Sequence, residues 1–249
     1  MKRAIVVAML FAMPAFAQEA GKGKGEMTDA KEVFQKADDA AKAVKSVKYE
    51  ATSKGLGAAE ARAPKLEGTA ILVGWDNNTV EKWFYDVKVT PPGSSEAKAV
   101  KVAGDGENFY LLDMGEKKFY EDIDRAVIGR TGGAALALTM AEFVHPTPFS
   151  DEINGDKHEF KGTTDVAGEK CYEVHVKYAN VPQEAHWFFS TKDFLPRRVD
   201  RWRPAQEEGG ERGGSQLIIT KLTVDPKIDD STFKLTMPEG FTKVDDFAP

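Results

Sequence analysis

Residues 168–202 constrain the fold more than any other part of this chain. Tyr172, Val174, Val176 and Tyr178 alternate there with Cys171, Glu173, His175 and Lys177, the period of a half-buried strand. Asn180, Pro182 and Gln183 interrupt the run, and residues 185–191 resume it with Trp187, Phe188 and Phe189. Lys192-Asp193 makes a short polar connection, and Leu195-Pro196 leads into a third strand over 197–202. Three strands with tight returns between them form an antiparallel meander.

The pattern on the N-terminal side predicts more of the same. Residues 48–53 read as a short strand, and Thr69, Ile71, Val73 and Trp75 as one face of the next. Asp76-Asn77-Asn78 turns the chain into a strand over 81–89 that carries Trp83, Tyr85, Val87 and Val89 on one side. Pro91 to Ser95 marks a loop, and strands follow over 97–103 and 108–113, with Tyr110 and Leu112 opposite Phe109 and Leu111. Phe119-Tyr120 begins another strand. On the C-terminal side, 207–214 reads as a Gly/Glu loop, 216–224 as a long strand and 234–238 as a last short one. Many short strands separated by turn signals are the signature of an all-β barrel or sandwich.

Two helices are expected. Asp29 with Glu32 three residues on resembles a capping box, and Val33, Phe34, Ala37, Ala40, Ala41, Val44 and Val47 then fall on one helical face. Residues 134–144, with Leu136, Leu138, Met140, Phe143 and Val144, read as a short helix that is apolar over most of its circumference and is stopped by Pro146 and Pro148. Such a helix has to lie against an apolar surface.

The first residues read as a secretory signal: Lys2-Arg3, an apolar run over 4–12, and Ala15-Phe16-Ala17 as the cleavage site. That run is too short to span a bilayer, and no Cys follows the site to carry a lipid. Residues 1–17 are therefore expected to be removed after Ala17, 18–27 to be a flexible linker and 28–249 a single exported, periplasmic domain. A formal charge of −6 argues against nucleic acid or an anionic membrane as the main partner. A lone cysteine, Cys171, makes no internal disulfide, so the core has to stabilise the fold; the thiol is expected to be inert.

No pattern points to catalysis or to a cofactor. There is no G-x-S-x-G and no H-E-x-x-H, and His145, His158, His175 and His186 lack metal-ligand spacing. Gly104-Asp105-Gly106 precedes a strand rather than a helix, which makes it a hairpin turn and not a phosphate cradle. Asp122/Asp124, Asp229/Asp230 and Asp245/Asp246 read as turn residues. The expectation is a monomeric binding protein without cofactor, not an enzyme.

A resemblance narrows this. Residues 188–199, FFSTKDFLPRRV, resemble the "strand, turn, L-P-R" segment of the LolA-like lipoprotein carriers. Residues 219–240, with ITKLTVDP, I-D-D-S-T-F and P-E-G, resemble that family's closing segment, and Ala103 to Tyr110 is similar to its "D-G-x-x" hairpin. The resemblance implies a mainly β fold with few helices, an unclosed antiparallel barrel covering the N-terminal helix and an inserted apolar lid helix. It also implies acyl chains of lipid or lipoprotein as ligands, with each buried methylene worth roughly 0.8 kcal/mol. Trp75, Trp83, Tyr85, Tyr110, Leu112, Trp187 and Phe189 would line the cavity, and Leu136, Met140 and Phe143 would form the lid; the same residues could instead fill a core. LolA-like carriers fasten the lid through an Arg in an early strand, and residues 66–75 hold none. The alternative on this fold is a regulatory protein that reads lipid or lipoprotein state and contacts an envelope membrane protein. Such regulators usually carry a second C-terminal domain, and this chain ends soon after Pro238-Glu239-Gly240, which favours the carrier.

Overall fold

The computed structural model describes residues 27–205 and 209–245. The proposed signal and all but the last residue of the proposed linker lie outside them. That last residue, Met27, is buried against the core and belongs to the domain.

Strand β1 spans Ser46–Gly57, β2 Lys65–Asp76, β3 Thr79–Thr90, β4 Lys98–Gly104, β5 Phe109–Asp113 and β6 Lys118–Asp122. A mostly non-strand insertion follows. The second half supplies β7 (Lys157–Val166), β8 (Glu169–Lys177), β9 (Glu184–Ser190), β10 (Pro196–Arg203) and β11 (Gly213–Val224), and a two-residue strand, β12, covers Thr242–Lys243. All twelve join one sheet in the order β12-β6-β5-β4-β3-β2-β1-β11-β10-β9-β8-β7. Neighbours are antiparallel except β12 with β6, which are parallel. The sheet is open, with β12 and β7 at its edges, so the expected unclosed antiparallel architecture is what forms.

Register assigns the two faces. Ala70, Tyr85, Val102, Leu111 and Tyr120 lie directly opposite one another across β2 to β6. In the other half Val174, Trp187, Val199 and Leu217 do the same across β8 to β11. All nine belong to the main core. Helix α1 (Ala30–Lys42) lies on this inner face, its Asp29 N-cap accepting from the Lys31 and Glu32 amides. Its Val33, Phe34 and Ala37 are wholly buried, and Phe34 meets Phe189 edge to face and lies tilted against Phe149. Burying one such ring is worth about 2–3 kcal/mol, which fixes the helix on the sheet.

The outer face of the first half is covered as well. Ala103, Tyr110, Leu112 and Phe119 form a separate cluster on which Phe84, Leu235 and Phe241 pack. The C-terminal segment supplies the last two and is tied down by Lys82–Asp230 at 3.0 Å and Lys234–Asp105 at 3.6 Å. Residues 234–238 are therefore a covering strap rather than the expected strand; the strand forms later, at Thr242–Lys243.

Three further features depart from simple alternation. Strand β7 carried no sequence signal, because it is a sheet edge whose Lys157, Lys161, Gly162 and Asp165 serve the solvent side; charges and a bulge at Gly162 are how edges avoid further pairing. Trp75 leaves the face shared by Ile71 and Val73: Gly74, at φ 64°, breaks the alternation, and Trp75 packs on the main core while those two do not. Arg197 and Arg201 do not share a face, since one extra residue between Pro196 and Arg198 shifts the β9–β10 register. Arg197 turns to Glu169 at 2.8 Å and to Asp193 at 2.6 Å, whereas Arg201 points inward.

Candidate functional site

The candidate site is the interface between the inner face and the inserted segment, residues 124–153. The expected single helix over 134–144 does not form. Instead the segment is a chain of short pieces: a 3-10 turn at Arg125–Ile128, α2 at Gly129–Ala135, 3-10 turns at Leu136–Leu138 and Ala141–Phe143, and α3 at Ser150–Ile153. Thr139 interrupts it with an extended backbone (φ −69°, ψ 125°), its hydroxyl returning to the Leu136 carbonyl at 2.6 Å. Apolar composition foretold burial, and burial is what the segment achieves: Leu138, Met140, Phe143 and Phe149 are each 0 % exposed.

Eight of the ten proposed site residues meet here. Trp83, Tyr85, Trp187 and Phe189 point inward from the strands, Trp75 packs at the margin against His145 (ring centroids 4.3 Å), and Met140, Phe143 and half-buried Leu136 come from the segment. Trp187 and Phe189 stack at 5.8 Å, and Phe149 sets its edge against both. Tyr110 and Leu112 do not belong: they lie on the outer face under the C-terminal strap. Tyr110 donates to the buried Asp105 at 3.0 Å, and burial together with that carboxylate pushes its phenol up to about 12. Strand β5 is apolar on both sides because both sides are covered, so alternation alone did not say which side faces inward.

Clefts of about 430, 480 and 170 Å³ open on the surface, and none of them is lined by any of the ten residues. The inner face is filled by the protein's own aromatic and aliphatic side chains.

Polar fastenings that sequence reading missed hold the segment in place. The Tyr49 hydroxyl, from β1, donates to the Leu138 carbonyl at 2.7 Å and accepts from the Met140 amide at 3.0 Å. Tyr85, from β3, meets the Thr139 hydroxyl at 2.5 Å. Burial pushes both phenols well above their ordinary range, so they stay neutral and able to donate. Asp38 of α1 accepts from the Phe149 amide at 3.2 Å. Arg201, over the Trp187 ring, donates to Glu142 at 2.7 Å; burial opposes its charge, and Glu142, Tyr178 and Glu152 outweigh it. An inward Tyr49 between Val47 and Ala51 was the available signal. It lies one strand earlier than the residues searched for an anchoring Arg.

Close to Arg201 sits a buried acid. Glu152 of α3 is 5 % exposed and accepts from the Tyr178 hydroxyl at 2.6 Å. Burial is the main reason its carboxyl is pushed up to about 7, with Glu142 adding to it and Tyr178 and Arg201 opposing. Among the described residues, Glu142 keeps one carboxylate oxygen buried without a partner.

The remaining titratable groups have local roles. His145 accepts from the Thr147 amide, His158 bonds the Glu152 carbonyl, and His175 and His186 pair with Glu184 and Glu173. Among the described residues no three His, Cys, Asp or Glu could hold a metal ion. Burial pushes the Cys171 thiol up to about 12.

The class this geometry defines is an open antiparallel sheet whose inner face holds an N-terminal helix and an inserted apolar segment. The chain belongs to the family described as predicted periplasmic protein (DUF2092), whose model matches residues 87–246. No curated protein matches the sequence. LprF from Mycobacterium bovis shares the fold: it is 10 % identical with a TM-score of 0.50, over 86 % of this chain and 97 % of that one. A LolA superfamily protein from Nitrosomonas europaea is 13 % identical with a TM-score of 0.31, over 83 % and 97 %. A chain of the Pseudomonas aeruginosa MucA/MucB complex is 12 % identical with a TM-score of 0.41, over 84 % of this chain and only 61 % of its own length.

Proposed function

We propose that this is a periplasmic binding protein that takes acyl chains of lipid or lipoprotein between the inner face of the sheet and the segment 124–153, serving lipoprotein sorting or envelope maintenance. The observation that supports the reading is the make-up of that interface. An apolar face is covered by short turns rather than a continuous helix, and a few identifiable hydrogen bonds fasten them. Swinging such a segment aside breaks few backbone bonds and bares Trp83, Tyr85, Trp187 and Phe189. An acyl chain would replace the contacts of Met140 and Phe143, gaining roughly 0.8 kcal/mol per methylene removed from water. Nothing in the site calls for a chemical step, so binding without catalysis is part of the proposal, as are export and removal of residues 1–17.

An acyl-chain fluorophore tests the reading. Wild type should bind it saturably at micromolar or tighter affinity, and ligand should raise the unfolding midpoint because it binds the folded state. Met140→Asp places a charge in the segment's apolar contact and should weaken binding while the sheet remains folded. No saturable binding to wild type, together with loss of the folded signal in the variant, would mean that the interior is only a core.

A further inference from the structure

The 480 Å³ cleft lies on the outer face, away from the acyl-chain site, where β3, β2, β1 and β11 run side by side. Lys88 stands opposite Glu67, Lys65 opposite Thr90 and Lys54 opposite Gln216, so three ammonium groups ring the cleft on neighbouring strands. Ile218, which packs on the outer-face cluster of Val166, Cys171 and Phe188, supplies apolar surface at the cleft. Neighbouring lysines on this face are paired: Lys82 with Asp230, Lys101 with Asp86, Lys221 with Glu50. Asp200, the acid beside Gln216, is taken up by Arg198 and by Gln216 itself. Among the described residues Lys54, Lys65 and Lys88 make no ion pair, and Glu67 is the one carboxylate lining the cleft with them.

In a chain with 40 acidic against 34 basic side chains, three unpaired cations gathered around one anion are a local excess of two positive charges. Strands lie about 4.8 Å apart, so these charges repel one another unless an anion joins them. A phosphate monoester carries close to two negative charges near pH 7 and offers three strong acceptor oxygens, and lysine binds phosphate as a point charge without demanding a fixed geometry. The Thr52 and Thr90 hydroxyls at the same cleft add neutral donors.

We infer that the groove ringed by Lys54, Lys65 and Lys88 binds a phosphate monoester, carried by a lipid headgroup or free in solution. The groove and the acyl-chain interface are on opposite faces, so this inference holds or fails independently of the proposed function.

Calorimetry with inorganic phosphate at constant ionic strength, and co-sedimentation with phosphatidylcholine vesicles with and without phosphatidic acid, test it. Saturable binding to phosphate, or to the phosphatidate vesicles alone, is expected; the first result points to a free anion and the second to a headgroup. Replacing all three lysines by Gln should weaken that binding about tenfold, the sum of three modest solvent-exposed ion pairs. The charge-matched Lys31→Gln/Lys117→Gln/Lys227→Gln protein should bind like wild type. Glu67→Gln removes the competing carboxylate and should tighten binding, which keeps the test decisive if the triple variant does not fold. Binding to neither probe, equal loss in both triple variants, or no gain from Glu67→Gln overturns the inference.

Discussion

Glu152→Gln should make the protein more stable at alkaline pH and remove much of the pH dependence of its stability. The Glu152 carboxyl is pushed from 4.5 to about 7, first by burial. A group whose folded pKa is raised supports folding fully below its unfolded pKa, and that support is lost as pH climbs through the folded value. The window here runs from about pH 4.5 to 7. Across it the ionising carboxyl removes roughly 3 kcal/mol, at 1.36 kcal/mol for each pH unit between the two values. The amide cannot ionise, yet its oxygen can still accept from the Tyr178 hydroxyl that now meets Glu152 at 2.6 Å. Denaturant unfolding at pH 5, 6, 7 and 8 would read the difference directly. At pH 8 the variant should gain up to about 3 kcal/mol, less about 1 kcal/mol for the weaker hydrogen bond; each kcal/mol is worth about 2–4 °C in midpoint for a domain of this size. At pH 5 the two proteins should be nearly equal or the variant slightly weaker. His175, pushed below its ordinary value first by burial, gives a trend of opposite sign, but it is common to both proteins and drops out of their difference. Parallel profiles for wild type and variant from pH 5 to 8 would refute the reasoning.

Three further outcomes are expected. Tyr49→Phe leaves the Leu138 carbonyl and the Met140 amide without their buried partner and should cost roughly 2–3 kcal/mol in denaturant unfolding; amide exchange at Met140 should rise more than exchange in the central strands. Gly104→Ala sets a methyl group 2.7 Å from the Trp83 indole and should cost about 1–3 kcal/mol with a change in tryptophan fluorescence, since strand pairing leaves the ring little room to retreat. Cys171, 0 % exposed and with its thiol pushed up to about 12, should resist alkylation at pH 8 until the protein is unfolded; rapid labelling of the native protein would contradict that.

The strands of the meander were legible because β8 alternates apolar inward residues with mostly polar ones on its other side, and such a strand writes its period into the sequence. Val174 and Val176 face the core while Glu173 and Lys177 do not. Strand β5 escaped the same logic, since Tyr110 and Leu112 are buried by a strap that starts more than a hundred residues later. The inserted segment was readable as apolar but not as a shape: composition reports that Leu138 and Met140 are buried, while the breaks at Thr139 and Met140 are set by what the Tyr49 and Tyr85 hydroxyls reach. Arg201 was visible as a charge on a strand. Its inward direction follows from inward Val199 two residues earlier, whereas the one-residue bulge after Pro196, which leaves no mark in hydrophobic periodicity, is what turns Arg197 away from that face.

The β1–β11 seam has a kinetic consequence. It is where the first-half strands, β1 to β6, and the second-half strands, β7 to β11, meet in the sheet, and it pairs Val47 with Val224 and Gly57 with Gly213. Asp225 clamps its end by accepting from the Lys45 and Ser46 amides, 180 and 179 positions away. Each half can build its own hairpins from local contacts, but neither can complete the sheet until the chain has been made almost to its end. Contacts of such long range are closed late and slowly. Until they close, β1 and β11 are both bare edges, able to pair with the matching edge of another copy. Refolding should therefore show a slow phase that is sensitive to substitutions along the seam, and the yield of monomer should fall as protein concentration rises.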